Sequence, residues 1–108
     1  MSEFHYSVTA TLPDEATAGR FIAWLAEGHI ADVVRAGALR GRLIRLDADE
    51  RGAIRVEAQY AFADRRTYVA YCDGPAVALR AEGVEKFGHA GVQFERRTGE
   101  VLVSIADS

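Results

Sequence analysis

The stretch Ile54-Arg55-Val56-Glu57-Ala58-Gln59-Tyr60-Ala61-Phe62 alternates. Ile54, Val56, Ala58, Tyr60 and Phe62 fall on one side, while Arg55, Glu57 and Gln59 fall on the other. A period of two, built on β-branched and aromatic residues, describes a strand with one face on a core and one face left polar. The expected strand covers 53–62. Just upstream, Asp47-Ala48-Asp49-Glu50-Arg51-Gly52 is polar and ends in glycine. It predicts a hairpin loop leading back to a strand over 39–46. In that strand Leu43 and Arg45 point one way, and Arg42, Ile44 and Leu46 the other. Just downstream, Asp64 is placed to cap a helix whose apolar stripe is Tyr68, Cys72, Ala76, Leu79, Gly83 and Phe87. Gly74-Pro75 interrupts it. Proline lacks an N–H and crowds the preceding turn, so a kink or restart is expected at Pro75. Gly83 on the buried face is expected to let this helix approach the sheet closely.

The flanking segments repeat the scheme. Phe4, Tyr6, Val8, Ala10 and Leu12 alternate with His5, Ser7, Thr9 and Thr11, which predicts another half-buried strand. Pro13-Asp14 ends it and caps a helix over about 15–36, with the stripe Ala18, Phe21, Ile22, Leu25 and Ala26. Gly28 weakens that helix by about 1 kcal/mol relative to alanine. The stripe resumes at Ile30, Val33 and Val34 after drifting around the helix, so a bend or packing shift is expected near Gly28. A fourth strand begins at 92–96. Thr98-Gly99 reads as a turn or bulge, followed by a strand-like 101–105 that pairs back or reaches a partner chain.

The element order is therefore β-α-β-β-α-β. It predicts a single α+β domain over 1–108, of ferredoxin-like design, with an antiparallel sheet in spatial order 4-1-3-2 and both helices on one face. On the other face the parities gather His5, Ser7, Thr9, Arg55, Glu57, Gln59, Gln93 and Glu95. Such a polar face stays solvated or meets a second copy across a wet cleft.

Composition bounds the function. With 49% apolar and 27% charged residues, the 108-residue chain is of ordinary globular make-up. Its net charge of −3 argues against nucleic acid as a partner, and Arg40, Arg42 and Arg45 are followed at once by Asp47, Asp49 and Glu50. The longest apolar run, 21–26, is too short for a membrane span, and 1–6 lacks the basic and apolar regions of a secretory leader. A cytoplasmic location is the expectation. The single cysteine, Cys72, excludes a disulfide within the chain and sits where a buried, inert thiol would. No nucleophile elbow, phosphate loop, dinucleotide fingerprint or His-Glu-x-x-His zinc motif is present.

The run Trp24-Leu25-Ala26-Glu27-Gly28-His29-Ile30-Ala31-Asp32-Val33, with the helix end Glu85-Lys86-Phe87-Gly88, resembles small bacterial proteins of the dimeric α+β barrel superfamily. Within it, the chain is similar to an uncharacterised family described only as a domain of unknown function. The resemblance implies a homodimer whose two sheets enclose a barrel-like cavity. The superfamily holds cofactor-free monooxygenases, lactone isomerases, haem-dependent members and proteins without known activity, so the fold does not choose a reaction. Some relatives carry a histidine facing the cavity mouth, and His29 is the matching position.

Three sets of residues are candidates. His29 and Asp32, three apart on one helix, suit a general base and the group that orients it; the competing reading is a polar helix edge. Tyr60, Tyr68 and Tyr71 with Trp24 suit an aromatic pocket, or else plain core and dimer interface; Tyr71, one step off its stripe, is the residue expected to reach a pocket edge. His5, Glu57 and Gln59 suit a small polar ligand on the open face, or bound water. A metal site would need a further ligand from His5, His89 or Glu57, and neither metal nor cofactor is expected.

The sequence thus points to a homodimeric, cofactor-independent small-molecule-binding protein with its ligand between sheet and helices. The alternatives are a monooxygenase- or isomerase-like enzyme using His29 as base, and a structural or regulatory dimer without ligand. The binding reading calls for an enclosed volume of roughly 300 Å3 or more.

Overall fold

Asp14 and Asp64 start the two helical layers in the same way. Each carboxylate accepts a hydrogen bond from a backbone N–H three residues on, Asp14 from Thr17 at 2.7 Å and Asp64 from Thr67 at 2.8 Å. Those bonds satisfy donors that the helix ends leave free, and they hold both carboxyls below the ordinary aspartate pKa.

The computed structural model describes residues 2–106. Its elements are β1 (Phe4–Leu12), α1 (Glu15–Trp24), a π-helical turn (Leu25–His29), α2 (Ile30–Arg35), β2 (Arg40–Arg45), β3 (Ile54–Phe62), α3 (Arg65–Asp73), α4 (Pro75–Phe87) and β4 (Gln93–Glu100). The sheet is antiparallel throughout, in the order β2-β3-β1-β4. This is the ferredoxin-like arrangement read from the alternation. Among the described residues no helix is long and apolar enough to cross a membrane.

Register confirms the two faces. Cross-strand partners share a face, and Tyr6 pairs with Tyr60, Val8 with Ala58 and Ala10 with Val56. These positions face the helices. Ser7 pairs with Gln59 and Thr9 with Glu57 on the opposite face. Leu43 lies opposite Ala58 and Ile44 opposite Glu57, so Leu43 and Arg45 face the helices while Arg42 and Ile44 do not.

Three local expectations are corrected. Thr98-Gly99 forms no turn or bulge: Thr98 pairs with Tyr6 and Gly99 with His5 in unbroken register. The chain after Glu100 has no regular structure up to residue 106, and residues 107 and 108 lie outside the described part. Gly83 brings α4 close to Trp24 rather than to the sheet; a Cβ there would stand 3.1 Å from Trp24 Cη2. The expected shift near Gly28 takes the form of the π-helical turn, in which the Ile30 N–H bonds to the Leu25 carbonyl.

The core forms two clusters. One holds Phe4, Tyr6, Tyr60, Phe62, Tyr71 and Val33, and the other Ala10, Leu12, Phe21, Leu25, Val56 and Phe87. The seam between them positions the site.

Candidate functional site

A cavity of about 130 Å3 lies on that seam, between the helices and the sheet. Tyr6, Val8, Ala58 and Tyr60 form its floor on the two central strands. Phe21, Trp24, Leu25 and His29 wall it from the first helical layer, and Tyr71 and Gly83 from the second. Val84 and Phe94, 62% and 37% exposed, mark its mouth. The volume falls short of the roughly 300 Å3 expected of a drug-sized pocket. It is close to the ~150 Å3 of an apolar protein cavity that accepts benzene. The space suits one aromatic ring.

The π-helical turn puts His29 there. In a regular α-helix, residues five apart stand about 140° apart around the axis and do not meet. An i→i+5 turn closes over five residues and brings Trp24 and His29 onto one side. Their rings stack, with centroids 4.1 Å apart and planes 25° from parallel. Trp24 is anchored in turn by Nε1, which donates to Glu82 Oε1 at 3.1 Å. His29 Nδ1 is buried and has no hydrogen-bond partner. Burial pulls the imidazole below its ordinary pKa of 6.5, against the opposing pull of Glu82 and Asp32. His29 is therefore neutral at neutral pH, with its Nδ1 left without a protein partner.

The expected His29–Asp32 pair is not formed. Asp32 accepts instead from Arg35, three residues on, and reaches His29 only through its charge. Tyr60 and Tyr71 do share the cavity with His29, and Tyr71 is fully buried rather than at an edge. Burial pushes the Tyr71 hydroxyl up to about 12, with Tyr6 adding to it, and pushes Tyr60 further. Both stay protonated and serve as donors or acceptors, not bases. Tyr68 lies outside the cavity, packed against Phe4, Tyr6 and Phe62.

His5, Glu57 and Gln59 sit on the open face, as the parities require, and so apart from His29. A chain of hydrogen bonds crosses that face. Thr9 Oγ1 donates to Glu57 Oε1 at 2.8 Å, Gln59 Nε2 to Glu57 Oε2 at 2.7 Å, and Arg42 Nη2 to Gln59 Oε1 at 2.6 Å. Partial burial pulls Glu57 upward, but these bonds from Thr9 and Gln59, with the charges of Arg97 and His5, bring it below the ordinary glutamate pKa. Two hollows flank that chain of hydrogen bonds, of about 270 Å3 beside His5, Arg42 and Gln59 and about 400 Å3 beside Thr9, Glu57 and Arg97, both more open than the cavity and of mixed polar and apolar lining. Among the described residues no three metal-ligating side chains converge.

Sequence reading missed two cavity residues, Arg80 on α4 and Arg96 on β4. A signal existed. Arg96 pairs with Val8 and Phe94 with Ala10, so both lie on the helix-facing parity of the fourth strand. Arg80 lies next to Leu79 and one helical turn from Gly83 on the buried stripe.

Solved structures share the fold. A dimeric ferredoxin-like protein from an uncultured marine organism superposes with a TM-score of 0.75 at 14% identity, over 98% of this chain and 100% of that one. SnoaB, a cofactor-independent oxygenase from Streptomyces nogalater, does so at 0.73 and 14%, over 99% and 100%. The monooxygenase from the ActVA-Orf6 gene of Streptomyces coelicolor, solved with nanaomycin D, does so at 0.71 and 16%, over 99% and 94%. At such identities the likeness establishes the fold. No curated protein matches in sequence. Residues 3–101, nearly the whole length, match the family described as domain of unknown function (DUF4286), and the chain belongs to that family.

Proposed function

We propose that this chain is a homodimeric, cofactor-independent protein that binds a small aromatic molecule in the cavity between helices and sheet. The observation that carries the reading is the cavity itself: ring-sized, walled by aromatic side chains, and supplied with a few polar groups that fix orientation. The dimeric ferredoxin-like relative and the two oxygenases of this fold support it by analogy. The homodimer is supported by one surface of the chain: the tail leaves the sheet with Leu102, Val103 and Ile105 more than two-thirds exposed. The free thiol of Cys72 suits a reducing, cytoplasmic setting.

The test uses Trp24, the single tryptophan, which lines the cavity. Titration with phenol should change its fluorescence saturably. No change at millimolar phenol removes the binding reading. Light scattering at micromolar concentration should give a dimer, and a clean monomer removes the two-sheet arrangement.

A second reading, a monooxygenase- or isomerase-like enzyme with His29 as general base, is favoured by one observation: the buried, unpartnered Nδ1 of a neutral imidazole. Such a nitrogen withdraws a proton from an acidic hydroxyl or carbon of a bound ring. Proton NMR of His29 tests it. The ring should titrate below 6.5 and its signals should move when phenol binds; an ordinary titration untouched by phenol rejects the base.

A further inference from the structure

Two arginines from different elements of the cavity lining, Arg80 half-buried and Arg96 exposed, meet at one hydroxyl. Arg80 Nη2 donates to Tyr6 Oη at 3.4 Å, and Arg96 Nε donates to the same oxygen at 3.3 Å. Both contacts are long for N–H···O bonds. Each guanidinium carries five N–H donors, and one neutral hydroxyl cannot satisfy two of them. The remaining contact of Arg80 is a weak one, Nη2 to Cys72 Sγ at 3.8 Å, and its Nε is buried without a partner.

The contrast with the outer surface is informative. Arg35, Arg40, Arg45, Arg65 and Arg97 each form an ion pair with a carboxylate. Among the described residues Arg80 and Arg96 form none; Arg20, Arg42, Arg51, Arg55 and Arg66 form none either, but they do not line the cavity. Aromatic faces hold them instead: Arg80 Cζ lies 5.9 Å from the Tyr6 ring centre and Arg96 Cζ 5.9 Å from that of Phe94. The nearby carboxylate of α4, Glu82, is tied to Trp24 at the His29 end. The cavity thus has two guanidiniums at one end, and the Glu82 carboxylate stands behind Trp24 at the other. Arg80 is half-buried, and a half-buried cation without a counter-charge is costly; Arg96 is exposed beside it, and the planar fork of donors on each matches a carboxylate.

We propose that Arg80, Arg96 and the Tyr6 hydroxyl form a carboxylate subsite, so that the cavity takes a single-ring aromatic carboxylate with its ring among the aromatic walls. The proposal rests on the reading of the cavity as a binding site and adds the charge of the ligand. Three of its parts come from β1, β4 and α4, so the subsite exists only in the folded chain.

Benzoate and its neutral counterpart benzamide separate the two claims, read by Trp24 fluorescence and by NMR shifts at pH 7. Benzoate should bind about tenfold or more tighter than benzamide. In Arg80→Met and Arg96→Met, which keep most of the apolar stem, benzoate should weaken about tenfold each while benzamide changes less than about twofold. Circular dichroism melting confirms that each variant is folded. Equal binding of both probes by the unaltered protein overturns the carboxylate subsite and leaves the aromatic cavity standing. Binding of neither overturns both.

Discussion

Replacing Ala58 by leucine should fill the cavity from its floor and trade binding for stability. Ala58 is 3% exposed on β3, between Val8 of β1 and Leu43 of β2, and its side chain lines the cavity. An unfilled apolar cavity costs about 24 cal/mol per Å3 of packing left unmade, so about 130 Å3 represents at most about 3 kcal/mol. Leucine adds three carbons and occupies part of that space. Arg80 and His29 make one end polar, where filling returns less, and some rotamer strain offsets the gain. The expected net result is a rise of about 1 kcal/mol, inside the range of ordinary cavity-filling substitutions. Urea unfolding followed by circular dichroism measures it. The midpoint should rise with the slope unchanged, because the surface exposed on unfolding is the same. The fluorescence response to phenol should disappear in the same variant. A loss of about 1 kcal/mol or more would show that the space is already packed, and the cavity argument would fail with it. Lost binding without gained stability would point to general damage instead.

The pH dependence of stability should carry a His29 segment. Its folded pKa lies below the ordinary 6.5, so its contribution is present in full above 6.5 and is lost as pH falls toward the folded value, where the unfolded chain binds a proton and the folded one does not. In His29→Phe that segment of a urea-midpoint profile should flatten; an unchanged profile assigns the slope elsewhere. Asp14→Ala and Asp64→Ala should each cost about 1 kcal/mol in urea unfolding, since each removes the acceptor of a helix-start N–H. Equal stability of either variant denies the cap. Gly41→Ala should cost about 1–3 kcal/mol, because a Cβ there would stand 2.7 Å from Ile30 Cγ2 and 3.1 Å from the Tyr60 ring. A neutral result would mean that Ile30 yields freely, and that the β2 edge is less tightly covered than it is drawn.

The strands were legible because one chemical pattern had one geometric meaning. Alternation in 4–12 and 54–62 assigned a face to each side chain, and the register of β1 with β3 bears out every assignment. Gly74-Pro75 was legible for a covalent reason, and the break falls there, with α3 ending at Asp73 and α4 beginning at Pro75. The exit of the chain was harder. Thr98-Gly99 carries turn chemistry, yet pairing with His5 and Tyr6 keeps it extended: tertiary contacts overrode a local preference. The π-helical turn lies between these cases. Drift of the apolar stripe past Gly28 signalled a shift of phase, but no periodicity distinguishes a bend from one inserted residue. A Cβ at Gly28 would meet nothing within 4 Å, so no close approach requires glycine there and a weak helix former merely marks the place.

The site was half legible, for a reason that bears on what it does. His29 and Tyr71 could be suspected from their places on helix faces, whereas Arg80 and Arg96 were not singled out, since charge usually means solvent. The pairing of Arg96 with Val8 puts it on the helix-facing side, though still exposed, and sequence gives no distance by which two such residues are seen to converge. The cavity has the same character. It exists because Ala58 and Gly83 are small on facing walls, and because the π-helical turn commits the Trp24 and His29 rings to each other instead of to the gap. A chain folded for stability alone would place a larger residue at Ala58 and an apolar one at Arg80. Retaining a gap, an unpartnered imidazole nitrogen and a half-buried guanidinium with an orphaned Nε in one place runs against three separate packing rules at once. Such local conflicts gather where a ligand completes the structure. That coincidence makes the seam between the two core clusters, rather than the hydrogen-bonded open face, the place to look for the ligand.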